Sequence, residues 1–332
     1  MEGLSTLSSV LHEANCKLEQ GRSAAASVWP TGFTPLDAYL NGGLRSGELT
    51  LLGGPQGLGK TTLALQLLRN VVASGHTAVY FSFEHDAVLV LERLLAVEAG
   101  LAGGIEAPTI RQFREALEAA DGQLGGLEDR LAATEGGAEA VLAVRAWGDR
   151  LMIHRSNGTT TSVQTIAAVV QEVRATHGQP PLVVVDYLQK VAVPLGGPSE
   201  EERITDVVQG LKDLALAADV PVLAVVAADK EGIRAGRRLR THHLRGASAL
   251  AYEADVVLVM NDKFNVVARH HLVYDITNAE SFRNFVVVSL EKNRNGLDHI
   301  DLQFRKRFER GRFDPEGSAV SEQLVDERVF VE

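Results

Sequence analysis

The stretch ELTLLGGPQGLGKTTLALQLL, residues 48–68, decides the fold. It opens with an apolar run that predicts a buried strand, continues through a glycine-rich loop, and ends in the pattern of a helix that begins at Lys60. The loop GPQGLGKT, residues 54–61, fits G-x-x-x-x-G-K-[ST], in which backbone N–H groups surround the phosphates of a nucleotide. A strand, a phosphate loop and a helix are therefore expected in that order.

The residue types of this loop indicate the chemistry of the ligand. Lys60 is expected to reach the outer phosphates of ATP, and the hydroxyl of Thr61 to bind Mg²⁺. ATP and Mg²⁺ are thus the cofactors that the motif predicts. The candidate nucleotide-binding residues are Gly54, Pro55, Gln56, Gly57, Leu58, Gly59, Lys60, Thr61 and Thr62.

Two acidic residues follow other predicted strands. Asp186 ends the run LVVVD at residues 182–186, and Glu84 follows AVYFSF at residues 78–83. Because the carboxyl ends of parallel strands share one edge of a sheet, both acids are expected beside the phosphate loop. Asp186 is predicted to hold Mg²⁺, and Glu84 to activate water for attack on the γ-phosphate. Without that loop, they would be a turn residue and a helix-capping acid.

The rest of the chain extends the alternation of strands and helices. Apolar runs that suit strands buried on both faces are separated by helical patterns, which predicts an α/β fold with a mostly parallel central sheet flanked by helices. Residues 85–178 are predicted to be mostly helical, and short polar strands to finish the sheet near residue 313. The further strand runs are VPVLAVV (220–226), ADVVLVM (254–260) and FVVVSLE (285–291).

The two ends of the chain differ from this central part. Residues 1–28 place leucines at helical spacing before a linker rich in Gly, Ser and Pro, which predicts an N-terminal helical arm. The spacing does not decide whether the arm docks on its own domain or on a neighbouring subunit. Residues 29–315 are predicted to form one ATPase domain, and residues 316–332 a weakly ordered C-terminal tail.

Composition limits the class of protein. The 332 residues carry 33 Lys and Arg against 43 Asp and Glu, so no protein-wide basic field exists, and any nucleic-acid contact must be local. The single cysteine excludes an internal disulfide framework. No apolar run approaches the roughly 18 residues of a membrane span, and the start lacks the pattern of a signal peptide. We therefore expect a soluble, cytoplasmic protein with no membrane partner.

Taken in order, these motifs resemble the RecA-like motor domain of the DnaB-type replicative DNA helicases, with a weaker similarity to RadA and KaiC ATPases. The resemblance covers residues 5–315. It implies a RecA-like P-loop NTPase that hydrolyses ATP within a homo-oligomeric, hexameric ring, with the arm docked on the adjacent protomer. It rests on TGFTPLDAYLNGGLRSGELTLLGG, VYFSFE, LVVVDYLQ, GLKDLALAADVPVLAV, LRGASALAYEADVVLVM and EKNRNG.

The resemblance also implies two further sets of site residues. Lys292 and Arg294 would reach the nucleotide of the adjacent subunit, Arg294 as an arginine finger. Without the family they would be a solvated basic strand end. The loop 229–245 would line the ring's channel and contact phosphates of single-stranded DNA, whereas the plainer interpretation is a solvated or partner-binding basic loop. The candidate DNA contacts are Arg234, Arg237, Arg238, Arg240 and Arg245.

The segment 264–284 departs from the family pattern, and two further departures bear on function. Val226 and Ala227 stand where relatives present a polar sensor of the γ-phosphate, and neither side chain can hydrogen-bond a phosphate. Only about 28 residues precede the TGFTPLD element, so the family's N-terminal primase-interacting domain is expected to be missing. Both departures favour an alternative function, a regulatory ring ATPase that switches a protein partner, whereas the basic loop favours the motor. A P-loop small-molecule kinase would leave the element KNRNG unexplained.

Overall fold

A computed structural model describes residues 4–118, 122, 124–193, 199–229, 237–273 and 276–327 of the protein. The strands are β1 (Val28–Trp29), β2 (Leu44–Arg45), β3 (Leu49–Gly54), β4 (Ala78–Ser82), β5 (Leu151–Arg155), β6 (Leu182–Asp186), β7 (Val222–Ala227), β8 (Val256–Asp262), β9 (Phe285–Asn293), β10 (Ile300–Arg307), β11 (Arg312–Phe313) and β12 (Ser318–Ala319). The α-helices are α1 (Leu7–Glu19), α2 (Thr34–Tyr39), α3 (Lys60–Ala73), α4 (Ala87–Ala102), α5 (Ile110–Glu118), α6 (Leu127–Leu131), α7 (Gly137–Trp147), α8 (Val163–His177), α9 (Glu200–Ala218), α10 (Ala247–Glu253), α11 (Lys263–Val266), α12 (Arg269–Val273) and α13 (Ile276–Phe282).

The central sheet has ten strands within the described part of the chain, in the order β11-β10-β9-β8-β3-β7-β6-β4-β5, with β12 paired to β10. The run from β8 to β5 is parallel. The strands β9 to β12 add an antiparallel flank. The predicted α/β fold, a RecA-like P-loop NTPase with a mostly parallel sheet, is therefore confirmed.

Helices cover both faces of this sheet, which explains why its strands are apolar at almost every position. In β3, Leu52 packs with the buried face of α3, whereas Leu49 and Leu51 face the helices on the other side. Helix α9 shows how the sequence builds such a layer. Its buried residues recur at helical spacing, and the Ser199 hydroxyl accepts from the N–H of Glu202 where the helix begins.

Strand register sets the positions of the site residues. Ser82 at the end of β4 pairs with Asp186 at the end of β6, and Gly54 at the end of β3 pairs with Ala227 at the end of β7. Four carboxyl ends of parallel strands therefore meet at one edge of the sheet, where open α/β sheets bind their ligands.

The structure differs from the sequence prediction in two segments. The region expected to be mostly helical also contains β5, a half-buried edge strand beside β4. The expected weakly ordered tail instead packs along the sheet as far as residue 327. There, β12 pairs with β10, and the carbonyl of Asp326 accepts from the N–H of Arg238 at 2.8 Å. This segment is bonded because its backbone completes the edge of the antiparallel flank.

Helix α1 is largely exposed to solvent. Its N-cap is Thr6, whose side chain accepts from the N–H of Ser9, and no residue of the helix is buried. The side chain of Leu7 is 85% exposed, and Leu4, Leu11 and Leu18 are exposed as well. The apolar stripe of α1 is thus not covered by the domain that follows it. None of the described helices combines the length and the apolar character that crossing a membrane requires.

Candidate functional site

The phosphate loop lies between Gly54, the last residue of β3, and Lys60, the first residue of α3. Gly57 and Gly59 have φ of +78° and +89°, a region that side chains other than glycine rarely adopt. Gly59 is restricted further, because an added Cβ would lie 2.8 Å from a ring atom of Phe308 and 2.9 Å from one of Phe313. The aromatic pair therefore packs directly against the loop at the N-terminus of α3, where an anion is favoured.

The side chain of Lys60 lies over this loop. Its Nζ donates to the carbonyls of Gly54 and Pro55, at 2.8 and 2.9 Å. Burial lowers the pKa of Lys60 to about 8, although the nearby charges of Asp186 and Glu84 favour its protonated form. The structure thus brings these three side chains together at one end of the sheet.

Asp186 is the buried acid of the site, with only 2% of its surface exposed. Its Oδ2 accepts from the hydroxyl of Tyr80 at 2.8 Å, whereas its Oδ1 is buried without a hydrogen-bond partner among the described residues. Burial raises the pKa of Asp186, and the nearby hydroxyls of Tyr80 and Thr61 lower it in part. An unpaired carboxylate oxygen close to the Thr61 hydroxyl suits a hard cation such as Mg²⁺.

Glu84 lies two residues beyond β4, at the same edge. Its Oε1 accepts from Nζ of Lys190 at 2.8 Å, and both side chains are partly exposed. Lys190 closes a 3-10 turn, Leu188–Lys190, that follows β6. Lys190 was not among the predicted site residues, although its position four residues after Asp186 was a usable signal.

The end of β7 carries two apolar residues, Val226 and Ala227, at the edge of the sheet that holds the phosphate loop. Val226 is fully buried, and the backbone N–H of Ala227 donates to Oε1 of Gln189 at 3.2 Å. The amide of the same glutamine donates to the carbonyl of Arg245 at 3.4 Å. The turn that carries Lys190 is therefore bonded to the end of β7 and to the end of the basic loop.

Lys292 and Arg294 lie at the opposite edge of the sheet from the phosphate loop. Arg294 bonds to Asp255 at 3.1 Å, and Asp255 in turn accepts from the N–H of Leu49, the first residue of β3. Lys292 donates to the carbonyl of Ala251 at 2.7 Å. Six residues of β3 separate this edge from the phosphate loop, a distance of about 20 Å. The structure does not bring these two residues to their own chain's phosphate loop.

The arginines predicted to contact DNA have different environments. Arg234 lies outside the described residues. The structure differs from the prediction for Arg238, because its guanidinium is buried against Asp301 and Ser289 and is not available to an external phosphate.

Three other arginines of this group are partly or fully exposed. Arg240 pairs with Glu291 at 2.8 Å and with Asp326 at 2.6 Å, and Arg245 pairs with Glu200 at 2.7 Å. Arg237 pairs its backbone with that of residue 327. Acidic side chains therefore already neutralise part of the predicted basic surface, which borders an open cleft of about 620 Å³.

Comparison with known proteins identifies the family of this site. The family model described as "DnaB-like helicase C terminal domain" matches residues 29–313. The replicative DNA helicase DnaB of Treponema pallidum is 25% identical over 282 residues, which are 84% of this chain and 55% of that protein. The DNA repair protein RadA of Mycobacterium tuberculosis is 29% identical over 181 residues, 54% of this chain and 35% of that protein.

Similarity to solved structures supports the fold. A structure titled as a DnaB-like replicative helicase and its interactions with primase aligns with a TM-score of 0.70 at 20% identity, over 94% of this chain and 68% of that one. The chain spans little more than half the length of the curated DnaB helicases that it matches. Because the family match covers most of the chain and includes the phosphate loop, Asp186 and Glu84, the chain belongs to the DnaB-like helicase C terminal domain family.

Proposed function

We propose that this protein is a Mg²⁺-dependent ATP hydrolase that works as the motor of a DnaB-type DNA helicase. The observation that carries the proposal is the carboxyl edge of the sheet, where Lys60, Asp186 and Glu84 meet beside the glycine loop. Oδ1 of Asp186 is buried and has no hydrogen-bond donor among the described residues. Burying such an oxygen without a partner costs folding free energy, and a bound cation would offset that cost. Membership in the family supports the hydrolase activity.

Each residue has a distinct part in the proposed reaction. The loop N–H groups and Lys60 bind the phosphates, while Thr61 and Asp186 hold Mg²⁺, which neutralises phosphate charge when bound. Glu84 accepts a proton from water as the water oxygen bonds to the γ-phosphorus. The bond from that phosphorus to the bridging oxygen breaks, and ADP leaves with the electron pair.

We further propose that the chain assembles as a homo-oligomeric, hexameric ring in the cytoplasm. Two observations support assembly. Lys292 and Arg294 lie about 20 Å from their own phosphate loop, so they could act only on the nucleotide of an adjacent subunit. The exposed leucines of α1 also need a covering surface that the following domain does not supply. We therefore assign the trans role to Lys292 and Arg294, and the docking role to α1.

Single-stranded DNA is the proposed substrate of the ring, contacted through Arg237, Arg240 and Arg245. Arginine forks suit phosphate, and these three lie on or near the surface. A second candidate function is a ring ATPase that switches a protein partner. Two observations favour it. The carboxyl end of β7 is apolar, and acidic side chains of the same chain already form ion pairs with Arg240 and Arg245.

Variants at Lys60 and Glu84 test the hydrolase assignment. Lys60→Ala should abolish tight ATP binding, whereas Glu84→Gln should keep binding and lower turnover by about 10²- to 10⁴-fold. Glu172→Gln, an exposed substitution on α8, is the matched control and should hydrolyse ATP at the parental rate. Parental turnover by Glu84→Gln would show that another group is the base. Stimulation of the parent by an oligothymidine favours the motor, and its absence favours the switch.

A further inference from the structure

Lys190 is a cation in direct contact with Glu84 for which the proposed reaction has so far no role. Its Nζ lies 2.8 Å from Oε1 of Glu84, and the two side chains are 45% and 39% exposed. An ion pair with that much exposure contributes little to folding stability, because water and salt screen it. Stability is therefore a poor explanation for the pair.

The backbone that carries Lys190 is held on both sides. Leu188 is fully buried, and the N–H of Lys190 donates to the carbonyl of Tyr187 at 3.1 Å. Gln189 connects the turn to the N–H of Ala227 and to the carbonyl of Arg245. Lys190 thus projects from a turn that these bonds hold in place, toward the exposed side chain of Glu84.

Other charged groups near Glu84 are less suited to hold it. The ammonium of Lys60 is buried and donates to two loop carbonyls. Burial is the largest of the effects that lower the pKa of His85, and it disfavours the charged imidazolium. Asp186 is an acid and repels a second carboxylate. Among these neighbours, Lys190 is the side chain that makes a direct ionic bond to Glu84.

A general base works only when it is held within hydrogen-bond distance of the water that it deprotonates. We propose that Lys190 is a positioning residue for ATP hydrolysis, whose ion pair to Oε1 fixes the carboxylate of Glu84 and leaves Oε2 to accept the water's proton. The inference rests on the proposed role of Glu84. The side chains at the end of β7, Val226 and Ala227, offer the site no polar group. The proposed ion pair of Lys190 gives Glu84 a fixed polar contact.

Steady-state kinetics of two substitutions test the proposal. Lys190→Met should lower kcat by about 10- to 100-fold, because a misplaced base costs that order of rate. KM for ATP should stay within about twofold, since the proposed role gives Lys190 no contact with the phosphates. Lys190→Arg keeps a cation and should restore most of kcat. Arg155→Met removes an exposed cation at the end of the neighbouring strand β5, and should leave kcat unchanged.

A second comparison separates this proposal from the one on which it rests. In a Glu84→Gln background, Lys190→Met should cause no further loss of turnover, because the residue acts through Glu84. A normal kcat for Lys190→Met beside an inactive Glu84→Gln would overturn the role of Lys190 alone, whereas an active Glu84→Gln would overturn both. Weaker binding of a non-hydrolysable ATP analogue, with ADP binding unchanged, would show that Lys190 contacts the γ-phosphate and would also overturn the positioning role.

Discussion

The hydroxyl of Tyr80 in β4 donates to Oδ2 of Asp186 in β6, a buried hydrogen bond of 2.8 Å between neighbouring strands. Tyr80 pairs with Val184 in the register, so Asp186 lies two residues further along the same face. The bond occupies one carboxylate oxygen and leaves the other, Oδ1, free of hydrogen bonds from the described residues. Tyr80 therefore fixes the orientation in which Asp186 can present an oxygen to a cation.

Tyr80→Phe removes this donor while keeping the ring. Burial already raises the pKa of Asp186 and the bond from Tyr80 lowers it, so the substitution should raise it further. Because hydrogen bonds to charged groups are worth about 1.5–3 kcal/mol, we expect half-maximal ATPase to need at least about tenfold more Mg²⁺. A magnesium titration of ATPase measures this, with Tyr39→Phe as control. An unchanged titration curve would contradict the role of Tyr80.

The buried Lys60 predicts a pH dependence of ATP binding. Its pKa in the folded, ligand-free protein is lowered from 10.5 to about 8, so the amine loses its proton as the pH rises through that value. Affinity for a non-hydrolysable ATP analogue should therefore fall between pH 8 and 10, by up to about tenfold per pH unit. Lys60→Arg, which stays charged, should show no such fall. Parallel titration curves for parent and variant would exclude Lys60 as the cause.

The same pKa predicts the sign of a stability change. Between pH 8 and 10.5 the unfolded chain binds more protons at Lys60 than the folded protein does, so the free energy of unfolding should rise with pH in that window from this residue. Denaturant unfolding of parent and Lys60→Met, without nucleotide, compares the two slopes. If the free energy of unfolding rises more steeply with pH in the variant than in the parent, the predicted effect of Lys60 has the wrong sign.

The exposed stripe of α1 predicts that the arm contributes to assembly. Removing residues 1–22 should give smaller oligomers by multi-angle light scattering. Replacing Leu7 and Leu11 by Ser should have the same effect without shortening the chain, because both side chains are exposed and their loss does not disturb a core. Glu13→Gln on the same helix is a control. If the deletion leaves the measured mass unchanged, the arm does not dock on a neighbouring subunit and belongs with its own domain.

The basic loop predicts a salt-dependent affinity for single-stranded DNA. Each phosphate that the protein neutralises contributes about −0.7 to the slope of log K against log salt. Substituting Arg237, Arg240 and Arg245 by Ala should therefore flatten the slope by up to about 2. Fluorescence anisotropy with an oligothymidine and a non-hydrolysable ATP analogue measures it. Arg111→Ala, which removes an 86% exposed arginine on α5, is the control.

Two results would count against the loop as the DNA site. If the parent binds DNA and the triple variant retains the same slope, the contacts lie elsewhere. If the parent shows no affinity at any salt concentration, the helicase interpretation fails and the protein-partner switch is the better account.

Local patterns predicted the parts of the structure that depend on short stretches. The glycine loop, α3 and the apolar strands are defined by nearby residues, and the rule on strand ends was enough to expect Glu84 and Asp186 at one edge. The strand β5 was missed because LMIHR is half-buried and lacks a continuous apolar run.

Contacts between distant segments could not be predicted in the same way. Tyr80 lies in an apolar run and resembles any core aromatic until the pairing of β4 and β6 places it beside Asp186. Phe308 and Phe313 meet Gly59 only because β10 and β11 bring residues about 250 positions away in the chain onto the loop. Side-chain partners such as Glu84 and Lys190 meet only after the strands have paired into the sheet. No short stretch of sequence contains both residues of such a pair.

Asp326 makes a side-chain bond to Arg240 and a main-chain bond to Arg238, although its carboxylate is 69% exposed. An anion approaching Arg240 from solvent meets a carboxylate of the same chain already in place. The C-terminal segment that carries Asp326 thus behaves as a tethered competitor with a fixed effective concentration, independent of how much protein is present. Since binding linkage is reciprocal, whatever loosens this segment strengthens anion binding at Arg240, and whatever occupies Arg240 loosens the segment by the same factor.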